Sequence, residues 1–326
     1  MHETYQGTAT TNYPAATVPT MYFIGVTTAH SAMRRIFPLW AAKLGLGGED
    51  EVKLVGIDFM LHDDPAAYRR AVEFIRNDPL SLGALVTSHK LDLLHACRDL
   101  FDELDEDATL LDEVACVSKR DGKLIGRAVD AINAGLAMDA FLPRSHWRDT
   151  AAHLLLLGAG GSAMATVCCL LNRTASERPL RIVVTDRNES RLASLRGLCD
   201  RLDKTADVRT IRADTAADND ACVFALPSHS LIINATGMGK DLPGSPLTDA
   251  AVFPEHAIAW DYNYRGELRF LEQARAQAAT RQVRTEDGWI YFLHRRLRVL
   301  GAVFALDVPP RRPPLQALAA TPKANR

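Results

Sequence analysis

Two stretches of the sequence carry residues whose types and spacing suit the binding of a dinucleotide. In Leu154–Ala165 (LLLLGAGGSAMA) four leucines run directly into Gly158, Gly160 and Gly161, and small or apolar residues follow from Ser162 to Leu171. The leucines read as a strand buried on both faces and Ser162–Leu171 as a helix. Glycines between them let a diphosphate approach the backbone closely, and the free N–H groups at the helix start add donors and partial positive charge. The pattern is GxGGxA, with Ala159 inside it and Ala163 at its last position. Alone, such a triplet also fits a tight strand-to-helix turn that holds no ligand. Further on, Arg181–Thr185 (RIVVT) reads as a second buried strand ending at Asp186. An acid there accepts hydrogen bonds from both hydroxyls of an adenosine ribose and repels a 2′-phosphate, which favours NAD over NADP. Arg187 beside it either stacks on adenine or pairs with a 2′-phosphate. The polar insert Asn172–Pro179 accounts for the long separation between Gly158 and Asp186.

Strands and helices alternate on both sides of this region, which predicts an α/β architecture with parallel sheets. Before it, strands are expected at Met21–Val26, Val52–Phe59, Leu82–Val86, Leu110–Ser118 and Lys123–Val129, with a hairpin turn at Asp121-Gly122. Helices are expected at Arg34–Leu46, from Asp63-Asp64-Pro65 to Asn77, at Leu91–Phe101 and at Ala131–Leu142, the last connecting two domains. The acidic run Asp102–Asp107 reads as a solvated surface. Met1–Thr20 reads as a loose tail. After Asp186 the pattern continues to a last helix at Trp289–Ala305 and a proline-rich tail.

The 326 residues suffice for two domains, and 47% hydrophobic with 24% charged residues is ordinary for a globular protein. A net charge of −2 gives no electrostatic case for nucleic acid or an anionic membrane, and no apolar run suits a membrane span or a signal core. The six cysteines lack metal-site spacing and read as buried small residues in a reducing, cytoplasmic setting, with no metal expected. The expected partner is a small-molecule substrate, with a homodimer left open.

With these pieces in place, residues 21–305 resemble the shikimate dehydrogenase family. Ile24–Ser31 (IGVTTAHS) is similar to its opening strand and serine loop, Leu85–Lys90 (LVTSHK) to its VT-x-PHK segment, and Asp121–Asp130 (DGKLIGRAVD) to its DG-x-L-x-G-x-NTD segment. The glycine turn, Asn234–Gly239 (NATGMG), Asp261–Tyr264 and Asp287-Gly288 follow in the family's order. The resemblance implies an N-terminal α/β substrate domain (21–132), a connecting helix and linker (133–149) and a Rossmann-type dinucleotide domain (150–265). C-terminal helices (266–306) then pack back on the first domain, with tails at 1–20 and 307–326. It further implies that Lys90 and Asp130 form the catalytic pair, moving the hydroxyl proton while hydride passes to nicotinamide, a role that lysine and aspartate suit if their surroundings tune them. Asn234, Ala235, Thr236, Gly239 and Asp261 are implied at the cofactor.

The departures concern the substrate. Ser31 fits the first serine of the opening loop, but Met33 stands at the second. Ala84, Ala115 and Ala128 stand where the family has asparagines, Val129 where it has threonine, and His294 or Arg295 where it has the glutamine of the last helix. Tyr264 matches a substrate-contacting tyrosine. A buried polar group without a partner costs about 1–3 kcal/mol, so a hydroxylated ring acid would lose repeatedly here. Thr87, Ser118 and Arg295, with Ser88, His89, Arg34 and Arg127, are the polar groups left to replace those contacts. The expectation is an NAD(P)-dependent oxidoreductase for a small ring alcohol or polyol other than shikimate. The alternatives are a true shikimate or quinate dehydrogenase and a non-catalytic dinucleotide-binding regulator.

Overall fold

The computed structural model describes residues 3–48, 50–240 and 242–307. By internal contacts the chain divides into two units: one runs to Val129 and resumes at Arg295, and the other runs Asp130–His294. The tail expected at 307–326 lies outside the described residues from 308 on.

The first unit contains strands β1 (Thr4–Gln6), β2 (Thr20–Gly25), β3 (Lys53–Asp58), β4 (Ser81–Val86), β5 (Glu103–Leu104), β6 (Cys116–Arg120) and β7 (Lys123–Arg127). They form one sheet in the order β1-β3-β2-β4-β6-β7-β5. The first four are parallel, and β6 runs antiparallel to both β4 and β7. Every residue of β2 is buried, as a central strand covered on both faces requires. The helices Ala32–Lys43 and Pro65–Asn77 begin where the sequence supplies caps. Ser31 accepts from the Met33 amide, and Asp64 from the Ala66 amide with Pro65 in the first turn. At the β6–β7 hairpin Asp121 and Gly122 both take positive φ (51° and 78°), the two-residue turn that matches strand twist.

The segment expected as a loose tail at 1–20 carries β1, which pairs with the edge of β3 (Thr4↔Gly56, Tyr5↔Ile57, Gln6↔Asp58). Tyr13 is buried against Phe74, ring centroids 5.1 Å apart. An edge strand is held by backbone hydrogen bonds and needs no hydrophobic alternation, so composition does not reveal it. Arg34 completes the attachment: its buried guanidinium donates to the Leu54 carbonyl (2.6 Å), the Glu3 carbonyl (2.8 Å) and the Thr4 hydroxyl (2.7 Å). It ties β1 to β3 and is not a free carboxylate anchor. Nor is Leu110–Ser118 one strand. Asp105 accepts from the Ala108 amide (2.7 Å) and caps a short helix, Glu106–Leu111, and the chain turns at Asp112 before β6 begins. The acidic run is therefore structural as well as solvated, since Asp102 also accepts from the Leu124 amide (2.7 Å) and pairs with Arg76 (3.0 Å).

The second unit contains β8 (Leu154–Leu157), β9 (Ile182–Asp186), β10 (Val208–Arg212), β11 (Leu231–Asn234), β12 (Ile258–Asp261) and β13 (Arg284–Glu286). Their order is β10-β9-β8-β11-β12-β13, and every pairing is parallel. Leu154 and Leu156 face a core with Ala134, Met138, Val167 and Leu170, from the helices Asp130–Phe141 and Gly161–Leu171. Leu155 and Leu157 face another, with Phe253, Phe270 and Leu271. Neither face meets water, which is why the run is uniformly apolar. At about 1.5–3 kcal/mol for each fully buried leucine, these side chains anchor the sheet. The chain moves outward from β8 to β10 and then starts again at β11, so a crevice is expected outside the strand ends where the order reverses. The helix Asp130–Phe141, expected as a connector, groups with this unit. So do Arg269–Arg275, Ala278–Arg281 and β13. The last helix, Trp289–Phe304, groups with the first unit from Arg295 on.

Among the described residues no helix is long and apolar enough to cross a membrane, and no cluster of three or more His, Cys, Asp or Glu could hold a metal ion. All six cysteines are free.

Candidate functional site

The chain leaves β8 at Gly158 with φ +101°, and a Cβ there would stand 3.0 Å from the Ala235 carbonyl oxygen, because the loop after β11 packs directly on the turn. Gly160 precedes the helix Gly161–Leu171 as its N-cap, and a Cβ there would meet nothing within 4 Å. Gly158 is thus demanded by the backbone, while Gly160 leaves space beside the free amides of the helix. Here opens a cleft of about 470 Å³, lined by Gly158, Gly160, Asp186, Arg187, Arg191, Ala235 and Thr236 among others. That volume suits a small-molecule site. A helix start with no acid in its first turn and two arginines on the wall fit an anionic diphosphate. Gly161 is exposed and Ser162 half-buried, whereas Ala163 is packed in the core and serves helix–sheet contact rather than a ligand.

Asp186 stands in this cleft at the end of β9. Its carboxylate accepts the Ala159 and Asn188 amides, both at 2.8 Å, and lies 3.9 Å from the Arg191 guanidinium. The acid is therefore already engaged in shaping the turn, and Arg187 and Arg191 line the same cleft.

Asn234 and Asp261, expected at the cofactor, are fully buried and turn inward. The Asn234 amide nitrogen donates to the Asp261 carboxylate (3.0 Å) and the Met238 carbonyl (3.1 Å). Its oxygen accepts from the Thr236 amide (3.1 Å) and hydroxyl (2.6 Å). Every donor and acceptor of that side chain is used, in closing the 234–239 loop and in tying it to Asp261 at the end of β12. Asp261 also accepts from the Asn263 amide (2.8 Å). Burial pushes its carboxyl up to about 6, with Asp287 adding to the effect and the hydrogen bonds opposing it. Gly239 serves the turn too, with φ +85° and its amide donating to the Leu242 carbonyl (2.7 Å). Of this segment, Ala235, Thr236 and Met238 line the cleft.

In the first unit Lys90 opens the helix Lys90–Cys97, just beyond β4. Its ammonium lies 3.1 and 3.3 Å from the two carboxylate oxygens of Glu113, and the side chains are only 13% and 5% exposed. The Lys90 carbonyl accepts from the Val114 amide (3.2 Å) and the Ala115 carbonyl from the Val86 amide (2.9 Å), so backbone bonds clamp the two segments together. His89 is fully buried with the Tyr68 hydroxyl 2.9 Å from its Nδ1, and burial pushes its pKa down. The Thr87 hydroxyl donates to the Ile24 carbonyl (3.1 Å), and Arg295 donates to the Val86 carbonyl (3.3 Å), which brings it to the end of β4. Ser31 is half-buried and caps its helix.

Met33 is enclosed in the core, and Ser118 is buried with its hydroxyl accepting from Arg127. Ala84, Ala115 and Ala128 are fully buried as well. In the second unit Asp130 is buried at the start of the helix Asp130–Phe141, and His294 is buried in the last helix. Tyr264 packs on Trp289 (5.4 Å) and Phe292 (4.7 Å). Sequence reasoning does not find Glu113. Its one signal is that it abuts the apolar run Val114–Val117 as the second acid of the pair Asp112-Glu113, and only tertiary structure carries it to Lys90, 23 positions away.

No family model matches the chain. It is 30% identical over 312 residues to the shikimate dehydrogenase (NADP(+)) of Rhodopseudomonas palustris, covering 93% of this chain and 97% of that protein. To the shikimate dehydrogenase (NADP(+)) of Methylocella silvestris it is 28% identical over 293 residues, covering 89% and 92%. Among solved structures it is similar to quinate dehydrogenase from Corynebacterium glutamicum in complex with NAD, with a TM-score of 0.69 at 20% identity over 93% of this chain and 98% of that one. The ligand-free 5-ketofructose reductase of Gluconobacter sp. strain CHM43 is similar at a TM-score of 0.69 and 18% identity, over 93% and 98%. Sequence likeness along almost the whole of a curated relative, joined to the parallel six-stranded second unit and its glycine turn, places this chain in the shikimate dehydrogenase family.

Proposed function

We propose that the chain is an NADP-dependent dehydrogenase that interconverts a secondary alcohol and a ketone on a small ring or polyol other than shikimate. One observation carries the reading: a lysine is held in a largely enclosed ion pair at the end of β4, while Ala84, Ala115 and Ala128, fully buried, supply no side-chain polar group. A ring acid with several hydroxyls would lose water without gaining partners, at about 1–3 kcal/mol for each unpaired group. In this reading Lys90 and Asp130 hold and return the proton of the reacting hydroxyl, and Ser31, Thr87, Tyr264, His294 and Arg295 orient the substrate. Nicotinamide supplies hydride chemistry when bound. NADP, rather than the NAD suggested by Asp186 alone, is supported by the names of the curated relatives and by the two arginines beside that acid. Six free cysteines fit a reducing compartment, and we place the protein in the cytoplasm.

The test is a panel of cyclitols, ketoses and hydroxy acids, with shikimate and quinate included, assayed with each nicotinamide cofactor. Turnover of a panel member with shikimate slower by about two orders of magnitude, the order set by two or three lost hydrogen bonds, supports the proposal. Efficient shikimate turnover would replace it with the activity that the relatives' names carry. Dinucleotide binding with no turnover of any alcohol would favour a regulator.

A further inference from the structure

We propose that Glu113 is a positioning residue for Lys90, fixing where its ammonium group sits. The proposal rests on the dehydrogenase reading for its use in catalysis, but the geometry stands without it. Glu113 is buried, and Val114, Ala115, Cys116 and Val117, which follow it, are all fully enclosed. A carboxylate is withdrawn from water in such surroundings only when it is paired. Here the pairing is two-pronged, with both oxygens within 3.3 Å of Lys90 Nζ. Neither backbone is free to drift, because the Val114 amide is bonded to the Lys90 carbonyl and the Ala115 amide to the Arg127 carbonyl (2.9 Å). A lysine with its tip held between rigid segments meets a substrate oxygen at one place, which is the condition for efficient proton exchange. A lysine that merely opened a helix would extend into water, and this one is only 13% exposed.

The test compares wild type with Glu113→Gln in the full chain, without needing the natural substrate. Each is treated with a small amine-reactive acylating reagent at one fixed pH, and modification of individual lysines is followed by peptide mass mapping. Lys90 modification is expected to rise at least about tenfold in the variant, since the amine is released from the two charged contacts that hold it away from the reagent. Lys119 and Lys123 should react at their wild-type rates, and NADP affinity, which belongs to the other unit, should not change. An unchanged Lys90 rate would overturn the proposal. So would an equal rise at all three lysines, which would mean that the unit had opened generally. If Glu113→Gln does not fold, Glu113→Asp keeps the charge one methylene further back and should give an intermediate rise; no rise in that variant overturns the proposal. On any alcohol that the wild type oxidises, Glu113→Gln should lower kcat with little change in KM. Absence of turnover in the wild type would sink the dehydrogenase reading and leave the labelling result to decide the role of Glu113.

Discussion

Asp261 offers a measurement of how tightly the 234–239 loop is held. Its carboxyl is pushed from the ordinary 3.8 up to about 6, chiefly by burial and secondly by Asp287, despite hydrogen bonds from Asn263 and Asn234. The shift corresponds to about 3 kcal/mol between the two protonation states. Because the folded-state value lies above the unfolded one, the folded form binds the extra proton. The contribution of Asp261 to stability is complete below pH 3.8, falls as pH rises and is lost once pH exceeds about 6. Within that window the slope approaches about −1.4 kcal/mol per pH unit from this group alone. The assay is urea denaturation of wild type and Asp261→Asn at half-unit steps from pH 4 to pH 8. The amide changes the hydrogen bonding by an amount that does not vary with pH, so only the difference in slope is read. The variant should lack the decline, and the difference between the two curves should change by about 3 kcal/mol across the window and level off above it. Parallel curves would refute the reasoning, since they would show that Asp261 ionises in the folded loop as easily as in the unfolded chain.

Lys90→Ala should reduce turnover by about two to four orders of magnitude while NADP affinity, followed by calorimetry, stays within about twofold; retained turnover would remove Lys90 from the chemistry. The double change Arg187→Ala, Arg191→Ala should weaken NADP about 10- to 100-fold relative to NAD, the scale of one or two charged hydrogen bonds to a 2′-phosphate. An unchanged ratio of the two affinities would return the preference to Asp186. Gly158→Ala forces a methyl group into a backbone with φ +101°, 3.0 Å from the Ala235 carbonyl. The second unit should lose about 1–3 kcal/mol, visible as a lower Tm, and an unaltered melt would mean that the loop after β11 yields at no cost.

Local chemistry was readable in the chain alone. Four leucines followed by glycines announce a doubly buried strand and its turn because both properties belong to adjacent residues, and Leu154–Leu157 do divide between two cores. Asp121-Gly122 marks its hairpin for the same reason, and the acid-proline start at Asp64-Pro65 marks its helix. Partners distant in sequence were not readable. Glu113 reaches Lys90 because two segments meet beside β4, Arg34 is spent on β1 because β1 pairs with β3, and Asn234 and Asp261 bond to each other because β11 and β12 are neighbours. A side chain's type states which bonds it is able to make, and its neighbours in sequence govern the local backbone. Whether those bonds are open to a ligand or already taken is decided by burial and strand register, and these exist only once distant parts of the chain have packed together.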